Sequence, residues 1–266
     1  MSLFLLFLLV YCQILTASSS CATRGRFTMN SLQNVAAVIF DLDGTLLDTE
    51  TLSTKASEMV LEKYGVYDGI DWALKKRILG LRGDEWSRIV VEDKGLVGKL
   101  DPKVLVQEWE ENLGNLCESI EKMPGALELV EALAEKGIPM AIATSSSHYA
   151  VHKKQKRHMD IFSKMKLIVC GDDAELRSGK PSPDIYLLAA RRLVVDPAVC
   201  VVVEDALSGV QSGTSAGAHV VIACPDPRIV ADSDAIAAFT AYNPRIVNSL
   251  LEVAAEVPLW NNDSNN

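Results

Sequence analysis

Two aspartates one residue apart open the stretch Asp41-Leu42-Asp43-Gly44-Thr45-Leu46-Leu47-Asp48-Thr49-Glu50. They follow Val35-Ala36-Ala37-Val38-Ile39-Phe40, an apolar run too short for a helix and consistent with a buried strand. Residues two apart on extended backbone point to the same side, so Asp41 and Asp43 can face one reacting atom. Asp41 then ends a strand, where open α/β sheets put their ligand crevice, and Gly44 lets the chain turn sharply. One carboxylate of such a pair can attack as a nucleophile while the other moves a proton. Alone, a strand-end Asp can equally well cap the next turn.

Three more polar groups lie downstream, two of them at the ends of apolar runs. Thr144 and Ser145 close Met140-Ala141-Ile142-Ala143, a hydroxyl cluster that by itself reads as a helix cap. Lys180 lies in Gly179-Lys180-Pro181-Ser182-Pro183-Asp184, and Glu204-Asp205 follows Val201-Val202-Val203. Lys180 is not a P-loop lysine: GxxxxGK[ST] needs Gly at 174 and Ser or Thr at 181, where this chain has Ala174 and Pro181. Adjacent carboxylates at a strand end suit Mg²⁺, which takes oxygen ligands and keeps waters and a substrate oxygen. There is no GxSxG elbow, and neither the cysteines nor His148, His152, His158 and His219 show metal-ligand spacing.

This ordered set resembles the four motifs of the haloacid dehalogenase (HAD) superfamily of phosphotransferases. The resemblance implies that Asp41 attacks phosphorus and becomes an aspartyl-phosphate. Asp43 would protonate the leaving oxygen and then deprotonate the attacking water. Thr144 would hydrogen-bond the phosphoryl group, helped by the Ser145 backbone N–H at the start of the next helix. Lys180 would neutralise charge on the nucleophile and the phosphoryl oxygens. Mg²⁺ would be held by Asp41, the Asp43 backbone carbonyl and Asp205, with Glu204 binding directly or through water. With Asp41 kept ionised by the metal, Asp43 is the carboxyl expected to carry the proton. The dehalogenases resemble this pattern without the counterpart of Asp43, having no alkoxide to protonate, so phosphoryl transfer is the implied reaction.

The elements that position these residues read as an interrupted α/β pattern. Residues 49–122 are helical in pattern, with runs at 52–64, 72–79, 85–93 and 102–120 and no convincing strand. From Pro124 short apolar runs at 139–143, 166–170, 199–203 and 220–223 alternate with helical stretches, which implies a parallel sheet covered on both faces. The expected fold is α/β: a doubly wound parallel-sheet, Rossmann-like HAD core with an inserted helical cap domain. Its core spans 33–48 and 123–257, the cap 49–122, and residues 258–266 read as a polar, frayed tail. Trp72, Trp86 and Trp109 read as cap core. The basic run Lys153-Lys154-Gln155-Lys156-Arg157-His158 reads as a solvated helix face, and Ser146 and Ser147 as helix caps.

At 266 residues, 48% hydrophobic and 23% charged, the chain has the balance of an ordinary globular protein. A net charge of −9 argues against a nucleic-acid partner and requires local positive charge for any anionic substrate. Residues 1–28 read as a leader: Leu3–Cys12 is an unbroken apolar run, too short to span a membrane, followed by small residues. No Lys or Arg precedes that run, so a start at Met29 is the competing reading. A true leader implies secretory or organelle entry; a start at Met29 implies the cytoplasm. Cys117, Cys170, Cys200 and Cys224 read as buried thiols rather than a disulfide framework.

Short blocks from Met123-Pro124-Gly125 through Ala143-Thr144-Ser145-Ser146, Arg157-His158, Gly171-Asp172-Asp173 and Gly179-Lys180-Pro181 are similar to one eukaryotic HAD subgroup. That subgroup contains pseudouridine-5'-phosphatase, glycerol-3-phosphatase and a riboflavin-phosphate phosphatase, implying a small phosphorylated metabolite as partner. A β-phosphoglucomutase-like sugar phosphomutase is the alternative, although that family carries a cap-side His where this chain has Ser53. A HAD-fold binding module is the non-enzyme alternative; it should have lost a catalytic acid, and none is lost. Substrate choice falls to the cap, where Arg82 in Leu79-Gly80-Leu81-Arg82-Gly83-Asp84-Glu85 is the candidate contact.

Overall fold

The computed structural model describes residues 34–116 and 119–260. The expected leader, Cys117 and the end of the tail lie outside the described residues. In chain order the elements are β1 (Ala37–Phe40), β2 (Leu47–Asp48), α1 (Glu50–Glu62), α2 (Trp72–Ile78), α3 (Gly83–Asp93), α4 (Pro102–Leu116), β3 (Glu121–Lys122), α5 (Ala126–Glu135) and β4 (Met140–Ala143). There follow α6 (His148–Gln155), α7 (Met159–Phe162), β5 (Leu167–Val169), α8 (Asp184–Leu193), a 3₁₀ turn (Pro197–Val199), β6 (Cys200–Glu204) and α9 (Leu207–Ser215). The chain closes with β7 (Val220–Ala223), α10 (Pro227–Ala231), α11 (Ser233–Thr240), β8 (Arg245–Ile246), α12 (Leu250–Glu256) and a 3₁₀ turn (Val257–Leu259).

The six-stranded sheet has the order β5-β4-β1-β6-β7-β8, every pair parallel. The chain runs outward from β1 to β5, then returns to β6 on the other side of β1, which makes this a doubly wound α/β fold. Why β1, β4, β6 and β7 lack any polar alternation is visible in the packing. Val38, Phe40, Met140, Ile142, Val201 and Val203 enter one apolar cluster. Their neighbours Ala37, Ile39, Ala141, Ala143, Cys200 and Val202 enter another on the opposite face. A period of two between two buried faces leaves no room for polar residues.

Helices α1–α4 are inserted between β2 and β3 and bury a third apolar cluster of their own, including Val60, Leu74, Trp86, Val90 and Leu105. The stretch 49–122, expected to be helical with no strand, ends in one: β3 pairs antiparallel with β2, matching Leu47 to Lys122 and Asp48 to Glu121. Two residues per strand carry no periodicity to detect. Trp72 belongs to neither this cluster nor solvent; it packs against the second sheet-face cluster, under the Arg228 guanidinium at 4.2 Å from its ring centroid.

The polar tail expected from residue 258 also needs correction. Trp260 is 2% exposed and belongs to the first apolar cluster. Lys136 Nζ donates to the carbonyls of Pro258 (2.8 Å) and Trp260 (2.5 Å). A single aromatic among polar residues gave no pattern to read, yet it carries a large apolar surface. No helix among the described residues is long and apolar enough to cross a membrane. Replacing Trp260 by Ala is expected to lower stability by about 3 kcal/mol, read as an earlier urea midpoint at unchanged slope.

Candidate active site

The carboxyl ends of β4, β1 and β6 are neighbours in the sheet, and each delivers one polar group to the same place. Asp41 follows β1 with its N–H donating to the Val203 carbonyl (2.9 Å), Thr144 follows β4 with its N–H on the Val169 carbonyl (3.0 Å), and Glu204 ends β6. Lys180 reaches this point from the loop before α8. Its Nζ donates to Asp41 Oδ1 (2.5 Å) and Glu204 Oε1 (2.6 Å), and it is 1% exposed. The Tyr186 hydroxyl also donates to Glu204 Oε1 (2.5 Å), while Glu204 Oε2 accepts the N–H groups of Asp205 (3.1 Å) and Ala206 (3.2 Å). Both Glu204 oxygens are therefore engaged, and its first role is to hold Lys180.

Burial and charge set the protonation of this group. Burial pushes Asp41 up to about 7 despite the adjacent Lys180 ammonium. Burial also pushes Asp205 well above the carboxylate range, reinforced by the charges of Glu204 and Asp41. For Lys180, burial alone would favour the neutral amine, but Asp41 and Glu204 more than offset it and hold the ammonium. Burial and Glu204 together raise the Tyr186 phenol, so it stays a donor.

Asp43 lies in a second ionic cluster. Its Oδ2 accepts from Ser146 Oγ (2.7 Å) and Thr144 Oγ1 (3.3 Å), and its Oδ1 is paired with the Lys154 ammonium, which also donates to Ser146 Oγ (2.9 Å). Lys154 is 1% exposed, contrary to the solvated face expected of its basic run; only its neighbours Lys156 and Arg157 are exposed. Burial alone would raise Asp43, but Lys154 outweighs it and holds the carboxyl below its usual range. Lys154 thus favours the ionised form of Asp43, the carboxyl expected to carry the proton when a metal keeps Asp41 ionised. Sequence reasoning assigned this lysine to solvent; a basic residue two helical turns after a cap serine was the available signal.

Of the two expected caps, Ser147 does cap α6 and Ser146 does not: Ser147 Oγ accepts the Ala150 N–H (3.2 Å) and donates to Glu110 Oε1 (2.5 Å). Ser145 therefore precedes the helix rather than opening it, and its Oγ donates to the Gly80 carbonyl (3.0 Å) on the inserted segment. Asp205 lies against Gly44, whose φ of +85° and lack of a Cβ leave space for that carboxylate, and Thr45 Oγ1 donates to Asp205 Oδ1 (2.9 Å). Ligand atoms of Asp41, Glu204 and Asp205 lie within 4.8 Å of one another. His148, which has no ligand spacing in sequence, is brought equally close to Cys170 and Asp172. There, however, its ring is paired with Asp172 (2.6 Å) and burial pushes the Cys170 thiol up to about 12.

A cavity of about 310 Å³ joins these groups to the inserted helices. Asp41, Asp43, Thr144 and Ser145 line it from the sheet side; Ser53, Arg82, Trp86, Trp109 and Glu110 line it from the inserted side. Arg82 lies against Gly179, where a Cβ would overlap its stem, with its Nε 3.8 Å from Asp84. Trp86 and Trp109, expected only as core, meet edge to face at 5.2 Å between centroids and also wall the cavity.

A three-layer α/β sheet with this carboxylate and lysine cluster at its switch point defines a hydrolase-type site, and the family is shown directly. The chain belongs to the haloacid dehalogenase-like hydrolases: the model of that family matches residues 38–223. It is 41% identical over 199 residues to (DL)-glycerol-3-phosphatase 2 of Arabidopsis thaliana, covering 74% of this chain and 82% of the relative. To the Probable pseudouridine-5'-phosphatase of Drosophila melanogaster it is 38% identical over 201 residues, covering 74% and 85%. Among solved structures, CbbY from Rhodobacter sphaeroides in complex with xylulose-(1,5)bisphosphate superposes with a TM-score of 0.71 at 26% identity, covering 84% of this chain and 99% of that one.

Gly209 of α9 lies so close to the Glu204 carboxylate that a Cβ would occupy the position of Oε1. Gly209→Ala is expected to displace Glu204 from Lys180, lowering stability by about 1–3 kcal/mol in chemical denaturation.

Proposed function

We propose that this chain is a Mg²⁺-dependent phosphatase that hydrolyses a small phosphomonoester through an aspartyl-phosphate on Asp41. The observation that carries this reading is the buried Lys180 bridging Asp41 and Glu204 while Asp43 and Thr144 share the same cavity. The relatives named as phosphatases act in the same direction.

Asp41 attacks phosphorus, forming the Asp41 oxygen–phosphorus bond as the bond to the alcohol oxygen breaks. Lys180 offsets negative charge on the nucleophile and the phosphoryl oxygens, and Thr144 Oγ1 donates to one of them. Asp43 gives its proton to the departing alkoxide. Its carboxyl is held below the usual range by Lys154, and the negative charge of a bound phosphate shifts it back towards the protonated form that donates. In the second step Asp43 takes a proton from water, the hydroxide oxygen bonds to phosphorus, and the Asp41–phosphorus bond breaks to release phosphate. The donor set fits Mg²⁺: Asp41 and Asp205 are hard oxygen ligands that burial drives towards neutrality, and Lys180 is the single ammonium among three carboxylates. Asp41, the Asp43 carbonyl and Asp205 would hold the ion, with Glu204 reached through water because its oxygens are taken. When bound, the ion supplies positive charge to the nucleophile and the phosphate.

Helices α1–α4 act in this reading as a cap that excludes water and selects the alcohol, with Arg82 and the Trp86–Trp109 wall as contacts. Ser53 lines the cavity without an imidazole, which fits hydrolysis better than transfer between two sugar hydroxyls.

Phosphate release would be measured from pseudouridine 5'-phosphate, glycerol 3-phosphate, riboflavin phosphate and hexose phosphates, with and without Mg²⁺. Turnover of at least one, lost on chelation, is expected; isomerised sugar phosphate without release would establish the mutase, and silence across the panel a binding module. Asp41→Asn is expected to abolish turnover, by a factor of about 10⁴ or more, with the fold retained in its far-ultraviolet circular dichroism. Retained activity in that variant would remove the nucleophile assignment.

A further inference from the structure

Lys154 brings a positive charge into the site that the reaction above does not use. A desolvated ammonium is costly unless paired, so its burial needs a cause. Its partners are Asp43 Oδ1 and Ser146 Oγ, and Ser146 Oγ in turn donates to Asp43 Oδ2. The three side chains close a triangle that holds the carboxylate by both oxygens, fixing its position and the rotation of its plane. The support is rigid: Lys154 lies on α6 two turns from the cap Ser147, which is tied to Glu110 on the inserted helix α4. Charge neutralisation alone would not require the second contact through Ser146.

We propose that Lys154 is the positioning residue of the acid/base carboxylate, holding Asp43 beside Asp41 in the orientation from which a proton reaches the leaving oxygen. This rests on the reading of Asp43 as general acid and base. General acid catalysis matters for an alkyl phosphate, whose alkoxide leaves badly, and little for p-nitrophenyl phosphate, whose phenolate leaves unaided. That difference separates positioning from structural support.

The test uses the full chain with Mg²⁺, comparing wild type, Lys154→Met, Lys154→Gln, Asp43→Asn and the Asp43→Asn/Lys154→Met double variant. Substrates are p-nitrophenyl phosphate and the alkyl phosphate from the panel that turns over fastest. Lys154→Met is expected to lower kcat on the alkyl phosphate by roughly 10- to 100-fold, below the full general-acid effect. KM should move by no more than about threefold, and the burst of p-nitrophenol release should keep its rate. Lys154→Gln, which keeps a donor, should recover part of the loss. The double variant should be no slower than Asp43→Asn, because Lys154 acts through Asp43.

An equal loss in the rate of the p-nitrophenol burst, no loss on the alkyl phosphate, or a further drop in the double variant would each overturn the proposal. If Asp43→Asn alone hydrolysed the alkyl phosphate at the wild-type rate, the acid/base reading itself would fall. Loss in Asp43→Asn with none in Lys154→Met would sink the positioning role alone.

Discussion

The fold of this protein is organised around one constraint: several like charges must share a buried volume at the ends of three adjacent strands. Lys180 is what makes that tolerable, because its ammonium touches both Asp41 and Glu204 and is itself excluded from water. Each partner is costly to bury alone, and removal of one would strand the others. The surrounding donors follow from the same need. Tyr186 and two backbone N–H groups complete Glu204, while Thr45 serves Asp205. Glycines 44 and 209 stand where a side chain would collide with the two carboxylates.

The charge is divided rather than pooled. Asp43 is satisfied by its own lysine and two hydroxyls, and Asp41 by the other lysine. Two neighbouring carboxylates so separated respond differently to burial: one is held below its usual range, the other is raised to about 7. The inserted helices join this arrangement through hydrogen bonds from Ser145 to Gly80, Ser208 to Leu79 and Ser147 to Glu110.

Much of the core was legible in the chain because buried parallel strands are monotonous: five apolar runs became β1, β4, β5, β6 and β7, and those of β1, β4 and β6 end in polar groups. Asp41, Asp43, Thr144, Lys180, Glu204 and Asp205 stood at those ends or in a loop between them, and the structure brings them together. What escaped notice was either too short or a lone residue. β3 and β8 have two residues each, and Trp260 is one buried ring in a polar stretch. The burial of Lys154 escaped for another reason: a basic run on a helix looks the same whether its third dimension ends in water or against a carboxylate.

By itself the sequence determined which chemistry is available, since the residue types, their order and the apolar runs before them depend only on local patterning. Only the tertiary structure decided which carboxylate is paired with which lysine, which serine caps a helix and which reaches the site, and that Glu204 is occupied on both oxygens. The Asp41–Lys180 and Asp43–Lys154 pairs join groups more than a hundred residues apart, and Glu204 meets Lys180 and Tyr186 from other elements. Charge, hydrogen bonding and desolvation all act across such distances, and no local pattern encodes them.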